Sequence, residues 1–160
     1  MSRINTGKVL VGGLVAGVVM NIIDMATNMF ILMNDMKAEL ERLHLDVTIM
    51  DSAAGIVPWI VVDFLSGILL VFAYAAMRPR FGPGPKTAMI AGLTLYLGIT
   101  IVLYGFTAMG LFTMSTFLKG SVCALVSTLA GALAGAAVYK EPAPATDRPA
   151  ATRAETYTHV

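Results

Sequence analysis

Charge is what this sequence has least of. Asp, Glu, Lys and Arg make up only 13% of its 160 residues, about half the share of an average soluble domain. Histidine occurs twice, as His44 and His159, and neither lies in an apolar run. That removes the paired histidines a haem would need. Glu41 and His44 form half of a Glu-x-x-His di-metal motif whose second half is missing. The single cysteine, Cys123, has no partner in the chain and reads as a small buried residue. No phosphate-binding loop, dinucleotide fingerprint, nucleophile elbow or zinc signature occurs. These absences point away from an enzyme, a metal centre and a cofactor. A net charge of +1 offers no basic field for nucleic acid.

What the chain has instead is apolar surface: 57% of its residues are hydrophobic and the mean hydropathy is +0.76. A domain of this size still exposes roughly a third of its unfolded surface, so the natural solvent for the chain is lipid. Four runs, at about residues 9–33, 54–77, 87–109 and 116–139, approach the roughly 20 residues a membrane helix needs. Alternating strand patterns are absent and Gly and Ala are frequent within the runs, which favours helices over a barrel. The expected fold is therefore an all-α integral membrane protein with four transmembrane helices, residues 1–140, and a disordered tail at 141–160 rich in Pro, Ala and Thr. The first run is too long for the core of a signal peptide, about 7–15 residues, and reads as a retained span.

Arg3 and Lys8 precede the first run, Arg78, Arg80 and Lys86 lie between the second and third, and Lys140, Arg148 and Arg153 follow the fourth. Lys37, Arg42 and Lys119 fall on the other side. The positive-inside rule then predicts cytoplasmic termini. Trp59 toward the outer side, with Tyr74 and Tyr139 toward the inner, fits an interfacial aromatic belt. Alternating Gly and Pro at 78–86 should stop both flanking helices in a tight turn, whose cations Arg78, Arg80 and Lys86 could contact anionic headgroups. After the first run, Met33, Met36, Leu40, Leu43, Val47 and Met50 form an apolar stripe, with Asp35, Lys37, Glu39, Glu41 and Arg42 filling much of the opposite side. This amphipathic outer extension either runs on from the first helix past the membrane or bends to lie on the outer surface, and it serves either to dock a partner or to cover the bundle mouth.

Small residues mark packing faces: Gly13 and Gly17 in the first run, and Gly131 and Gly135 within a longer stripe in the fourth. On the first helix the small face continues into a polar one, since Gly13, Gly17, Asn21, Asp24 and Asn28 step by four, four, three and four. Asp63 and Ser66 share a face of the second helix. Asp24 lies nine residues before Met33 and Asp63 nine after Ala54, so both sit about 13 Å below the outer end. Thr100 and Tyr104, and Ser127 and Thr128, reach a similar level. Apart from Lys119 at the outer end of the fourth run, no Lys, Arg or His lies in any span, so the acids call for a proton or a bound cation. Three readings stay open. The first is a membrane subunit or accessory protein with a structural polar core. The second is a dimeric proton- or cation-coupled carrier using Asp24 and Asp63. The third is a binding module for lipid or a hydrophobic molecule. The expected partners are the lipid bilayer and either a second copy or another membrane protein.

Across Tyr74-Ala75-Ala76-Met77-Arg78-Pro79-Arg80-Phe81-Gly82-Pro83-Gly84-Pro85-Lys86-Thr87-Ala88 the chain resembles a group of small uncharacterised bacterial inner-membrane proteins. The resemblance extends over about residues 5–140 and includes the Gly-Gly-Leu-Val-Ala-Gly start of the first helix. It implies a bacterial plasma membrane and carries over no functional residue.

Overall fold

The first apolar run does not stop where lipid would. In the computed structural model, which describes residues 4–140, α1 (Thr6–Thr27) passes through one wide π turn (Asn28–Leu32) into α2 (Met33–Arg42). Together they make one helix of 37 residues, about 55 Å long against a hydrocarbon core of about 30 Å. The extension therefore continues the first helix. It ends at His44, which holds a left-handed φ of 56° while Leu45 N–H returns to the Leu40 carbonyl at 2.8 Å, a glycine-type helix stop made with a histidine. A short 3-10 turn (Val47–Asp51) leads into α3 (Ala53–Phe81). The Ser52 hydroxyl caps α3 by accepting Gly55 N–H at 3.2 Å. Then follow α4 (Pro85–Ala108) and α5 (Met114–Val138). The four long helices are each apolar and long enough to cross a membrane. The tail expected to be disordered lies outside the described residues.

The turn between the second and third spans is shorter than its composition suggests. α3 continues through Pro79 to Phe81, and only Gly82–Gly84 turn. A proline in the last turn removes one backbone bond, to the Ala75 carbonyl, and its fixed φ is already helical. The stop comes from Gly82 and Gly84, with φ of +79° and +133°. Pro85 then opens α4, where its missing N–H costs nothing.

α1 lies between α3 and α5, while α4 packs mainly along α5. The core occupies the half of the bundle nearest Ile4, Lys140 and the Gly82–Gly84 turn, termed proximal; α2 marks the distal end. Proximal packing is set by glycine. A Cβ on Gly13 would stand 2.6 Å from the Ile68 backbone, and one on Gly17 would stand 2.6 Å from the Phe64 ring. Gly131 abuts Met20, and Gly135 abuts Val71 and Ala16. All four expected packing glycines thus serve contacts inside the chain.

Tyr74 and Tyr139 correct the aromatic-belt expectation. Both are buried, edge to face at 6.0 Å, and the Tyr74 hydroxyl accepts Gly84 N–H at 3.2 Å. The Arg78 guanidinium lies over the two rings, 6.0 and 5.5 Å from their centroids. The tyrosines close the proximal end because the helix ends converge there, an arrangement that depth along a single helix does not encode. Trp59, by contrast, is 65% exposed.

Candidate functional site

The distal half does not close. Between the diverging helices lies a cavity of about 560 Å³, within the size range of small-molecule sites. Its base is polar. Asp24 reaches it from α1, and its carboxylate accepts the Ser127 hydroxyl of α5 at 2.8 Å. The Asp24 and Asp63 side chains meet across the α1–α3 seam, so the two acids stand at one level of the bundle. Asn21 donates to the Gly17 carbonyl at 2.9 Å and to the Ile60 carbonyl at 3.4 Å, tying α1 to α3 just beneath. Asn28 and Ser66 also line the cavity.

Thr100 and Tyr104 do not belong to this group. Neither lines the cavity; Tyr104 is exposed and its ring lies 5.7 Å from that of Phe117. α4 contributes Ile99 and Leu103 instead. The two residues have the right depth but the wrong face, and past Lys86 the helix carries no charged residue whose burial would fix its rotation. Of the proposed headgroup contacts, Arg80 and Lys86 are exposed at the proximal end, while Arg78 covers the tyrosines.

The walls are soft and apolar. Six of the chain's eleven methionines, Met20, Met25, Met29, Met33, Met36 and Met50, line the cavity with Trp59, Phe112 and Phe117. Methionine is flexible and polarizable, so such a wall adapts to varied apolar shapes. Met25, Met29, Trp59 and Val62 are both lining and exposed, and so form a rim that faces outward. The spacing of Met25, Met29, Met33 and Met36 was a usable signal for this wall, because it follows the polar face of the same helix.

The roof was misread at one residue. Glu39, assigned to the solvent side of the extension, is only 4% exposed. One carboxylate oxygen accepts Thr113 N–H at 2.6 Å and the Thr116 hydroxyl at 2.9 Å. The other accepts Arg42 Nε at 2.9 Å and Nη2 at 2.7 Å. Arg42 also donates to the Gly110 and Leu111 carbonyls. Glu39 thus caps α5 from α2, across 74 residues of sequence to Thr113. Burial pushes its carboxyl up, but Thr113, Arg42 and Thr116 outweigh this and hold it at about 2. Lys119 pairs with Asp35 at 2.7 Å and Lys37 with Asp51 at 3.0 Å. Every distal cation foreseen in the sequence is therefore ion-paired, and the extension is strapped over the cavity mouth.

No family model matches the chain, and comparison with curated proteins and with solved structures likewise finds no match. Among the described residues, no group of three or more His, Cys, Asp or Glu is arranged to hold a metal.

Proposed function

We propose that this protein is a multi-pass protein of a bacterial plasma membrane, with both termini cytoplasmic, that binds a hydrophobic small molecule within its distal half. One observation carries the reading: a cavity of about 560 Å³ that is walled by methionine and aromatic side chains and polar only at its base. If the acids served only as interhelical glue, the helices would be expected to close on them as they do proximally. The outward rim, with Met25, Met29 and Trp59, suits entry from lipid. The orientation is supported by charge, since Lys8, Arg80 and Lys86 sit at the proximal end while the distal cations are ion-paired.

A structural polar core is the second reading, favoured by the Ser127–Asp24 bond. Gly120→Leu separates the two. Gly120 lines the cavity and a Cβ there meets nothing within 4 Å, so a side chain started there has room at its root and takes up cavity space. Trp59, the only tryptophan, reports occupancy. In lipid nanodiscs, an apolar quencher should reduce Trp59 fluorescence saturably in the native chain and not in Gly120→Leu, with melting unchanged. Saturable quenching that survives the substitution, or none in the native protein, would refute the reading.

A further inference from the structure

Among the described residues, the ionisable groups lining the cavity are Asp24 on α1, Asp63 on α3, Asp51 on the 3-10 turn and Cys123 on α5; α4 supplies none. No Lys, Arg or His lines it. Asp51 is already answered by Lys37 of α2 at 3.0 Å. The contacting pair, Asp24 and Asp63, has only neutral partners, namely the Ser127 hydroxyl and each other. Two carboxyl groups in contact, away from bulk water, hold together when a proton or another positive charge sits with them. Above them stands an apolar wall wide enough for a small molecule, with the Trp59 and Phe117 rings along it, surfaces that attract a cation as well as a hydrocarbon.

From this arrangement we infer that the occupant is a lipophilic cation, an amine or quaternary onium group on an apolar frame, whose charge rests between Asp24 and Asp63. The inference rests on the hydrophobic-binding reading and narrows it to one charge class. The charge balance is explicit. Starting from two protonated carboxyls, a monovalent cation entering the pair displaces one proton to the aqueous phase and leaves the other carboxyl protonated, so the net charge of the site does not change. Binding therefore strengthens as pH rises while protons compete, with a limiting slope of about tenfold per pH unit. Cys123 lies along the wall and is tested separately by Cys123→Ser.

The test uses the full chain in nanodiscs and compares tetraphenylphosphonium with tetraphenylborate, nearly equal in shape and opposite in charge, reading Trp59 fluorescence and equilibrium dialysis against empty nanodiscs. The expected result is saturable phosphonium binding, with borate weaker by about a hundredfold. Asp24→Asn with Asp63→Asn should abolish both the preference and the pH slope, and Cys123→Ser should leave both intact. Equal binding of the two ions, or a pH slope that survives the double substitution, overturns the cation inference and leaves hydrophobic binding standing. Absence of saturable binding by either ion and by the neutral quencher overturns both. If the double variant fails to fold, the phosphonium–borate comparison and the pH slope of the native chain still decide.

Discussion

In the proximal half, Gly13, Gly17, Gly67 and Gly135 bring the helices so close that an added Cβ would stand within 3 Å of another helix. In the distal half, a Cβ on Gly98, Gly105 or Gly120 would meet nothing within 4 Å. The same four helices supply both halves, so glycine content does not explain the difference. What differs is which glycines face each other. Gly67 of α3 sits against Gly13 and Gly17 of α1, and Gly135 of α5 against the Gly12 carbonyl, and these matched surfaces let dispersion hold the helices in lipid, where no hydrophobic force does so. Distally, side-chain bonds take over: Asn21 to α3, Asp24 to α5, and Glu39 across the mouth. Polar contacts fix position without filling space, so one half of the bundle is solid and the other hollow.

The largest effect should come from breaking the solid half. A Cβ on Gly67 would lie 2.5 Å from the Gly13 carbonyl oxygen and 2.6 Å from Gly17 N. Backbone cannot rotate away as a flexible side chain can, so α1 and α3 must separate. Gly67→Ala should lose about 1–3 kcal/mol, read as a lower midpoint in mixed-micelle unfolding. An unchanged midpoint would mean that the α1–α3 approach is not what holds the proximal half.

Next in size is the strap. Glu39→Ala leaves Thr113 N–H and the Thr116 hydroxyl without their acceptor and should cost about 1–3 kcal/mol. The change should be local: faster hydrogen exchange at residues 110–117, with proximal amides protected as before. The pH sign follows from the shift. Glu39 is held at about 2 in the folded protein against an ordinary 4.5, so its contribution is complete above about 4.5 and is lost as pH falls toward about 2. Exchange at 110–117 should therefore quicken below pH 4.5 in the native chain beyond the intrinsic change, and Glu39→Gln should abolish that extra dependence. A native chain without it would detach Glu39 from the roof.

Much of the solid half was legible in the sequence, and the hollow one only in part. Gly13, Gly17, Asn21, Asp24 and Asn28 fall on one face by spacing alone, and residue counting put Asp24 level with Asp63. These inferences use one helix at a time, or two helices whose ends are set by the bilayer. Thr100 and Glu39 fail for the opposite reason. The rotation of α4 is decided by neighbours, because past Lys86 it carries no charged residue to orient it and hydroxyls alone can face lipid or core. The burial of Glu39 depends on Thr113 and Thr116 at the start of another helix, and a charged residue in an amphipathic extension otherwise belongs in water. The π turn at Asn28–Leu32 likewise has no signature in residue spacing.

The smallest expected effect is the most discriminating control. Gly98 lies in the distal half of α4, where a Cβ meets no atom within 4 Å, and its neighbours Leu97, Ile101 and Val102 are exposed. Gly98→Ala should therefore leave stability unchanged or raise it by up to about 1 kcal/mol, the helix-propensity difference between the two residues. The same unfolding assay used for Gly67→Ala reads it, so the two alanines test one chemical change in tight and open surroundings. A loss as large as that at Gly67 would show that the outward face of α4 is covered in the membrane. Concentration-dependent unfolding would then identify the cover as a second copy, since only an intermolecular contact dilutes away.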